Sequence, residues 1–159
     1  MLGVPLQNGH YAFAQLRIHA GLAMVFAVPD LQILTSEARA VLPKTVPHAT
    51  AVTAAAKSAA LIEGLSSGDK TLLRFALEDV LHVPFRRRLM PRYDSIVAAA
   101  VKAGAFGATL SGSGSTMVAI ASREAAAQVG TAMQSVWQSA GHAAEVIITD
   151  KMVDGAVLE

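Results

Sequence analysis

Residues 106–121 read FGATL-SGSGS-TMVAIA, and this stretch decides the fold. Two β-type runs, at residues 106–110 and 116–121, flank a loop in which three serines alternate with two glycines. The pattern predicts a β-hairpin with an unusual loop. Glycine lets successive backbone amides turn towards one point, where they form a concave nest for anions such as phosphate or carboxylate. Taken alone, the loop is more simply interpreted as a flexible hairpin tip.

Outside the hairpin, strand and helix patterns follow one another along the chain. Alternation at residues 11–18 and an apolar run at residues 22–28 predict two strands, the second buried on both faces, and residues 144–149 predict a last one. Pro47 opens a long helix that ends at Gly68, while Asp69 and Ser122 are predicted to cap two further helices. The predicted inward face of the long helix consists of Val52, Ala55, Ala56, Ala59, Ile62 and Leu65. The predicted fold class is α+β, with helices packed on one face of a small, mainly antiparallel sheet.

Composition limits the classes of protein to which the chain can belong. Its 159 residues, 53% of them apolar and 16% charged, suit one globular domain. The net charge is +1 and the one basic run is at residues 86–88, which argues against nucleic-acid binding. The absence of cysteine excludes disulfides, thiolate catalysis and thiolate metal sites. The apolar run at residues 22–28 is too short to cross a bilayer and no signal peptide is evident, so we expect a cytoplasmic protein without a membrane partner.

A second motif, TSEAR, occupies residues 35–39. Its threonine and arginine, Thr35 and Arg39, are four residues apart and therefore share one face of a helix. The planar guanidinium group of arginine can hold a carboxylate or a phosphate through two hydrogen bonds. The simpler alternative is that Thr35 caps a short helix and that Arg39 is solvated.

The third motif, HVPFRRRLMP, occupies residues 82–91. Three adjacent arginines cannot all point the same way, so one can face a cleft while the others reach solvent. His82 is a candidate proton shuttle, although a histidine beside a proline in a loop is more often structural. Glu78 and Asp79 are interpreted as part of a solvated helix face. The other histidines have no ligand-like spacing, and no cluster of His, Asp and Glu predicts a metal site; they are His10, His19, His48 and His142.

The three motifs together carry a family resemblance. LTSEAR at residues 34–39, HVPFR at 82–86 and GATLSGSG at 107–114 resemble the C-terminal part of the homoserine kinase family, within the GHMP superfamily of small-molecule kinases. Residues 26–30 and 154–156 are also similar to that family, and the resemblance runs from about residue 22 to the end. It implies a GHMP kinase C-terminal, ferredoxin-like domain over residues 1–159, with residues 1–21 as a remnant of the interdomain or N-terminal region.

The resemblance also implies an activity. Members of the family transfer the γ-phosphoryl group of ATP to the hydroxyl of L-homoserine, in threonine biosynthesis. Their N-terminal domain carries a glycine-rich phosphate loop of the type P-x-x-x-G-L-G-S-S, which this sequence lacks. We therefore expect ATP and Mg²⁺ to be bound mainly by a missing N-terminal kinase domain, and the isolated chain to be inactive. No general base is visible, so no catalytic residue is expected in this half, and a homodimer is expected because GHMP kinases are often dimers.

The resemblance also implies roles for individual residues, according to their positions in the three motifs. It implies that Thr35, Arg39, Arg86 and Gly112 bind the substrate, with the two arginines clamping its α-carboxylate. The loop residues Ser111, Gly112, Ser113 and Gly114 would lie near the transferring phosphoryl group. The family loop commonly continues with proline after the second glycine, where this chain has Ser115, which predicts a looser loop when empty.

Two other functions remain open at this point. The chain can be a stand-alone, non-catalytic module that binds an amino acid in the same pocket. It can also belong to a GHMP kinase for another small alcohol, such as a sugar or a mevalonate-like compound.

Overall fold

The computed structural model describes residues 2–150, and the similarity noted at residues 154–156 lies outside them. The described chain forms six strands and six α-helices, with a short 3₁₀ turn at Arg87–Leu89. The elements are β1 (Leu2–Pro5), β2 (Tyr11–Ala14), β3 (Leu22–Pro29), α1 (Thr35–Ala40), α2 (His48–Ser67), α3 (Lys70–Leu77), α4 (Val83–Arg86), α5 (Tyr93–Lys102), β4 (Gly107–Leu110), β5 (Met117–Ser122), α6 (Arg123–Ser139) and β6 (Ala144–Thr149). None of the helices within residues 2–150 combines the length and hydropathy that a membrane span requires.

A four-stranded sheet organises the domain. Its strand order is β4-β5-β3-β6, and each neighbouring pair is antiparallel. The predicted hairpin is present, because Gly107 pairs with Ile120 and Leu110 with Met117. On the other side of β5, Ile120 lies opposite Met24 of β3. The predicted α+β class with an antiparallel sheet is confirmed, while β1 and β2 form a separate two-stranded hairpin.

The predicted helical layer on one face of the sheet consists of α5 and α6. Ile96 of α5 and Trp137 of α6 are fully buried there against Val25 of β3. α2 and α3 pack on the opposite face towards the β4 end, where Leu73 and Leu77 meet Ile120. Helices therefore lie on both faces of the sheet, and the predicted placement on one face alone was wrong. Because successive side chains of a strand point to opposite faces, the sheet contributes to two separate hydrophobic cores.

The ends of α3 and α6 confirm two predicted capping residues, Asp69 and Ser122. The Asp69 carboxylate accepts hydrogen bonds from the amides of Thr71 at 2.7 Å and Leu72 at 2.9 Å. Ser122 Oγ accepts from the amide of Ala125 at 3.3 Å. Gly68 ends α2 with φ +77°, a left-handed conformation that glycine adopts without strain.

Three details differ from the sequence predictions. Val52 and Ile62 of α2 are 55% and 40% exposed, so the predicted inward face was wrong, and Leu65 is the one member of that set that is buried. Because α2 is rich in alanine on all sides, its apolar pattern gives little contrast between faces. β3 is buried on one face and half-buried on the other rather than buried on both. The strand predicted at residues 11–18 ends at Ala14.

Candidate functional site

A cleft of about 410 Å³ opens where α1, α4 and the β4–β5 loop meet. Its lining contains all four residues that the sequence predicted to bind substrate, together with one of the loop serines. The lining residues are Thr35, Arg39, Asp79, His82, Arg86, Leu110, Gly112 and Ser113. Residues separated by more than 70 positions in the chain thus share one concave surface.

Arg86 is the central side chain of this cleft. It ends α4 and is half-buried. Its Nε donates a hydrogen bond to the carbonyl oxygen of Ala38 at 2.9 Å, and its Nη1 donates to the carbonyl oxygen of Gly112 at 3.1 Å. A guanidinium group has five N–H bonds, so the remaining ones are available to an anionic ligand. Arg86 therefore joins α1 and the glycine–serine loop while it keeps part of its binding capacity.

Thr35 and Arg39 lie on α1, as predicted, but the interpretation of Thr35 as a helix cap was wrong. The N-cap is Leu34, and no side chain caps the helix. The Thr35 hydroxyl instead lies 3.3 Å from the hydroxyl of Ser113. The side chain of Arg39, one turn further along, is exposed and forms no hydrogen bond or ion pair with the part of the chain described here. Among residues 2–150, its guanidinium group therefore faces only solvent and the cleft.

The glycine–serine loop has a defined geometry. Gly112 and Gly114 both have positive φ angles, +61° and +92°. The amide of Ser111 donates to Thr116 at 2.9 Å and that of Gly114 donates to Ser111 at 3.2 Å, so these two amides are used inside the loop. These two amides are therefore not available to an anion nest at this place.

The residue after the second glycine anchors the loop. Ser115 is buried, and its hydroxyl donates a hydrogen bond to the carbonyl oxygen of Leu31, just after β3. A proline at this position would have no hydroxyl to donate. The serine thus supplies a tertiary contact that a proline could not make.

Two further residues of the cleft, Asp79 and His82, were not predicted to bind substrate, although His82 was considered as a candidate proton shuttle. Glu78 is exposed, as a solvated helix face requires, but the same interpretation of Asp79 was wrong. Asp79 follows the end of α3 and accepts hydrogen bonds from the amides of Leu81 at 2.6 Å and His82 at 2.7 Å. The ring nitrogen Nδ1 of His82 lies 3.0 Å from its second oxygen. An aspartate a few residues before a proline-initiated helix is the sequence signal that could have identified it.

These bonds set the charge of Asp79. Burial raises the pKa of its carboxyl, but the hydrogen bonds from the His82 amide, the His82 ring and the Leu81 amide outweigh burial and hold the pKa below its usual range. Asp79 is therefore ionised at neutral pH. Arg86 forms no ion pair with Asp79 or with any other carboxylate in residues 2–150, so the cleft retains two guanidinium charges for an anionic ligand.

The described residues offer no cluster of three or more His, Asp or Glu side chains that could hold a metal ion. The chemistry of the cleft is that of anion recognition. Two arginines suit a carboxylate or a phosphate, and hydroxyls and loop amides add further donors.

Comparison with known proteins shows to which family the chain belongs. The sequence profile described as "GHMP kinases C terminal" matches residues 58–139, just over half of the chain. The chain belongs to the GHMP kinase C-terminal family. The matched region contains Arg86 and the whole glycine–serine loop.

Curated relatives of this GHMP kinase C-terminal domain include homoserine kinases. The homoserine kinase of Nostoc sp. strain PCC 7120 is 44% identical over 128 residues, which cover 80% of this chain and 43% of that protein. The homoserine kinase of Gloeobacter violaceus is 45% identical over 122 residues, covering 77% of this chain and 41% of that protein. The chain thus spans less than half the length of the curated relatives it matches. The predicted family resemblance is confirmed.

Solved structures agree with the fold. A homoserine kinase from Cytophaga hutchinsonii superposes with a TM-score of 0.85 at 28% identity, covering 92% of this chain and 47% of that one. L. major mevalonate kinase, solved with R-mevalonate, superposes with a TM-score of 0.62 at 19% identity, covering 89% of this chain and 47% of that one. The second likeness shows the fold alone. The GHMP C-terminal fold predicted from the three motifs is confirmed.

Proposed function

We propose that this chain is the substrate-side C-terminal half of a homoserine kinase. In this proposal the complete enzyme transfers the γ-phosphoryl group of ATP to the hydroxyl of L-homoserine, a step of threonine biosynthesis in the cytoplasm. The observation that carries the proposal is the meeting of Arg39, Arg86 and the glycine–serine loop in one cleft. The identity of about 44% to named homoserine kinases over most of the chain supports the choice of substrate.

The cleft suits an amino acid that reacts at its side-chain hydroxyl. The free guanidinium group of Arg39 and the unused N–H bonds of Arg86 would hold the α-carboxylate, with Thr35 and Gly112 completing the substrate contacts. Ser111, Gly112, Ser113 and Gly114 would then face the transferring phosphoryl group. Transfer depends mostly on positioning and on neutralisation of charge, to which the arginines and the loop of this half would contribute.

ATP and Mg²⁺ are part of the proposal, but residues 2–150 are not proposed to be their main binding site. The loop amides and the two arginines are compatible with a nearby phosphate, whereas residues 2–150 offer no carboxylate cluster for the metal. When bound, Mg²⁺ would neutralise phosphate charge. An N-terminal domain with the glycine-rich loop would hold both, so the chain alone should bind homoserine without phosphorylating it.

Calorimetric titration of the chain tests the substrate-side half of the proposal. L-Homoserine should bind, and 3-aminopropan-1-ol, which is the same molecule without its carboxylate, should not. Replacing Arg39 by Ala should weaken homoserine binding by roughly 1.5–3 kcal/mol, the usual contribution of a hydrogen bond to a charged group. Arg88→Ala removes an equal charge outside the cleft lining and is the matched control.

The catalytic part of the proposal is tested on the product of the whole reading frame. Sequencing the DNA upstream of the Met1 codon should reveal an in-frame glycine-rich phosphate loop, and the polypeptide that includes it should phosphorylate L-homoserine in preference to mevalonate or sugars. A complete polypeptide that neither binds nor phosphorylates homoserine would contradict the proposal. Homoserine binding with no phosphate loop upstream would favour the alternative of a non-catalytic amino-acid-binding module.

A further inference from the structure

Asp79 lines the cleft, and its carboxylate is bonded to the neighbouring backbone and to the ring of His82. Its carboxylate is half-buried and accepts from two successive backbone amides, those of Leu81 and His82, through one oxygen. The other oxygen lies 3.0 Å from Nδ1 of His82. The aspartate therefore holds both the backbone and the ring of His82.

His82 in turn holds Arg86. It is the N-cap of α4, and its carbonyl oxygen accepts hydrogen bonds from the amides of Phe85 at 3.1 Å and of Arg86 at 2.9 Å. α4 has only four residues, so it has no interior that could hold it together if its first turn opened. The position of the Arg86 backbone thus depends on a residue that Asp79 fixes.

From that backbone the Arg86 side chain reaches Ala38 and Gly112. A continuous hydrogen-bonded path runs from Asp79 through His82 and Arg86 to the glycine–serine loop. Asp79 does not pair with Arg86 itself, so the path orients the guanidinium group without neutralising it. Orientation at full charge is what a carboxylate clamp needs.

We propose that Asp79 is a positioning residue that sets the anion affinity of the cleft through Arg86. The identity of the ligand, L-homoserine, rests on the proposed function. The mechanical part, in which Asp79 fixes Arg86, does not.

The mechanical part is tested without any ligand. In a ¹H–¹⁵N spectrum of the labelled chain, Asp79→Ala should shift the Arg86 Nε–H signal and accelerate its exchange with solvent, because the bond to Ala38 is lost. Asp69→Ala is the matched control, since Asp69 also accepts from two successive amides but caps α3 outside the cleft lining. It should leave the Arg86 signal in place. Asp79→Asn keeps an acceptor oxygen for the two amides and should largely restore the signal.

Ligand binding then tests the path. Asp79→Ala should weaken L-homoserine binding on the order of 10- to 100-fold, as expected when a binding group is misplaced. In an Arg86→Ala background the same change should weaken binding no further. An unperturbed Arg86 signal in Asp79→Ala would overturn the inference, and so would equal losses of affinity in the two backgrounds. A perturbed signal in a chain that does not bind homoserine would retain the inference and count against the proposed function.

Discussion

Arg86 donates a hydrogen bond of 3.1 Å from Nη1 to the carbonyl oxygen of Gly112, a residue 26 positions further along the chain. Its Nε bonds Ala38 in the opposite direction, so one guanidinium group ties three segments together. An arginine held in this way loses less conformational entropy when it binds an anion. Arg86, which is expected to bind a carboxylate, therefore also connects the segments that form the site.

Replacing Arg86 by Ala should affect both binding and stability. Homoserine affinity should fall by about 2 kcal/mol, the low end for truncation of a buried charge pair, because Arg86 is only half-buried. The free energy of unfolding should fall by about 1–3 kcal/mol, since two backbone carbonyls lose their donor. Calorimetric titration and urea denaturation measure the two effects.

The adjacent Arg87 is the control for this change. It pairs with Asp94 at 2.8 Å, and both side chains are exposed. Because exposed ion pairs contribute at most about 1 kcal/mol, Arg87→Ala should change stability little and homoserine binding not at all. Equal losses of affinity in the two variants would show that net charge, not the placement of Arg86, determines binding.

Lys57 should stabilise the junction between α2 and α3. It is 7% exposed, and its ammonium group donates a hydrogen bond to the carbonyl oxygen of Phe75. The same group lies 4.0 Å from the centre of the Phe75 ring and 3.6 Å from the carboxylate of Glu78. Lys57→Met keeps the apolar stem but removes the donor, so the free energy of unfolding should fall by about 1–3 kcal/mol. Urea denaturation measures it.

The control for Lys57 is Lys70 at the start of α3. Its ammonium group lies 5.3 Å from the ring of Phe106, but the side chain is exposed. Lys70→Met should therefore change stability by no more than about 0.5 kcal/mol. If the two lysines proved equivalent, the buried contacts of Lys57 would not be what holds α2 on α3.

The parts of the fold that could be predicted from the sequence depend on short-range bonds. Asp69 and Ser122 were predicted as caps because each bonds an amide two or three residues away. The face that α2 buries depends instead on distant partners. Val52 and Ile62 are spaced like core residues, yet they are exposed, and the local pattern does not indicate which face α3 will cover.

The sequence likewise pointed to some residues of the cleft and missed others. Thr35, Arg39, Arg86 and Gly112 share the cleft that their family resemblance implied. Asp79 was missed because residues 77–79 continue the helical pattern of α3, whereas the helix ends at Leu77. Its role arises only after the chain turns and presents the amides of the next segment.

Asp79 should make the stability of the domain sensitive to acid. The folded-state pKa of its carboxyl lies below the usual value of 3.8, because the hydrogen bonds it accepts outweigh burial. A lowered pKa means that the ionised form contributes stability at neutral pH, and that this contribution is lost as the pH falls through the folded-state pKa. Asp79→Asn should be less stable than the parent chain at pH 7, and the difference should shrink below about pH 4. Urea denaturation across this range measures it, and a difference that stays constant with pH would contradict the assignment.

Gly130 should be required for the contact between α6 and the sheet. A Cβ atom at this position would stand 2.5 Å from Cγ1 of Val146 in β6, closer than real side chains approach. Gly130→Ala gains about 1 kcal/mol of helix propensity, but overpacking typically costs about 1–3 kcal/mol, so a net loss of stability is expected.

Val146→Ala removes the obstructing methyl group. The double variant should therefore be more stable than the sum of the two single changes implies, by at least about 0.5 kcal/mol. Thermal or urea unfolding of the four proteins measures this coupling, with Gln128→Ala on the exposed face of α6 as the control for propensity. Strict additivity would mean that α6 shifts freely on the sheet and that the close approach of Gly130 to Val146 does not determine its position.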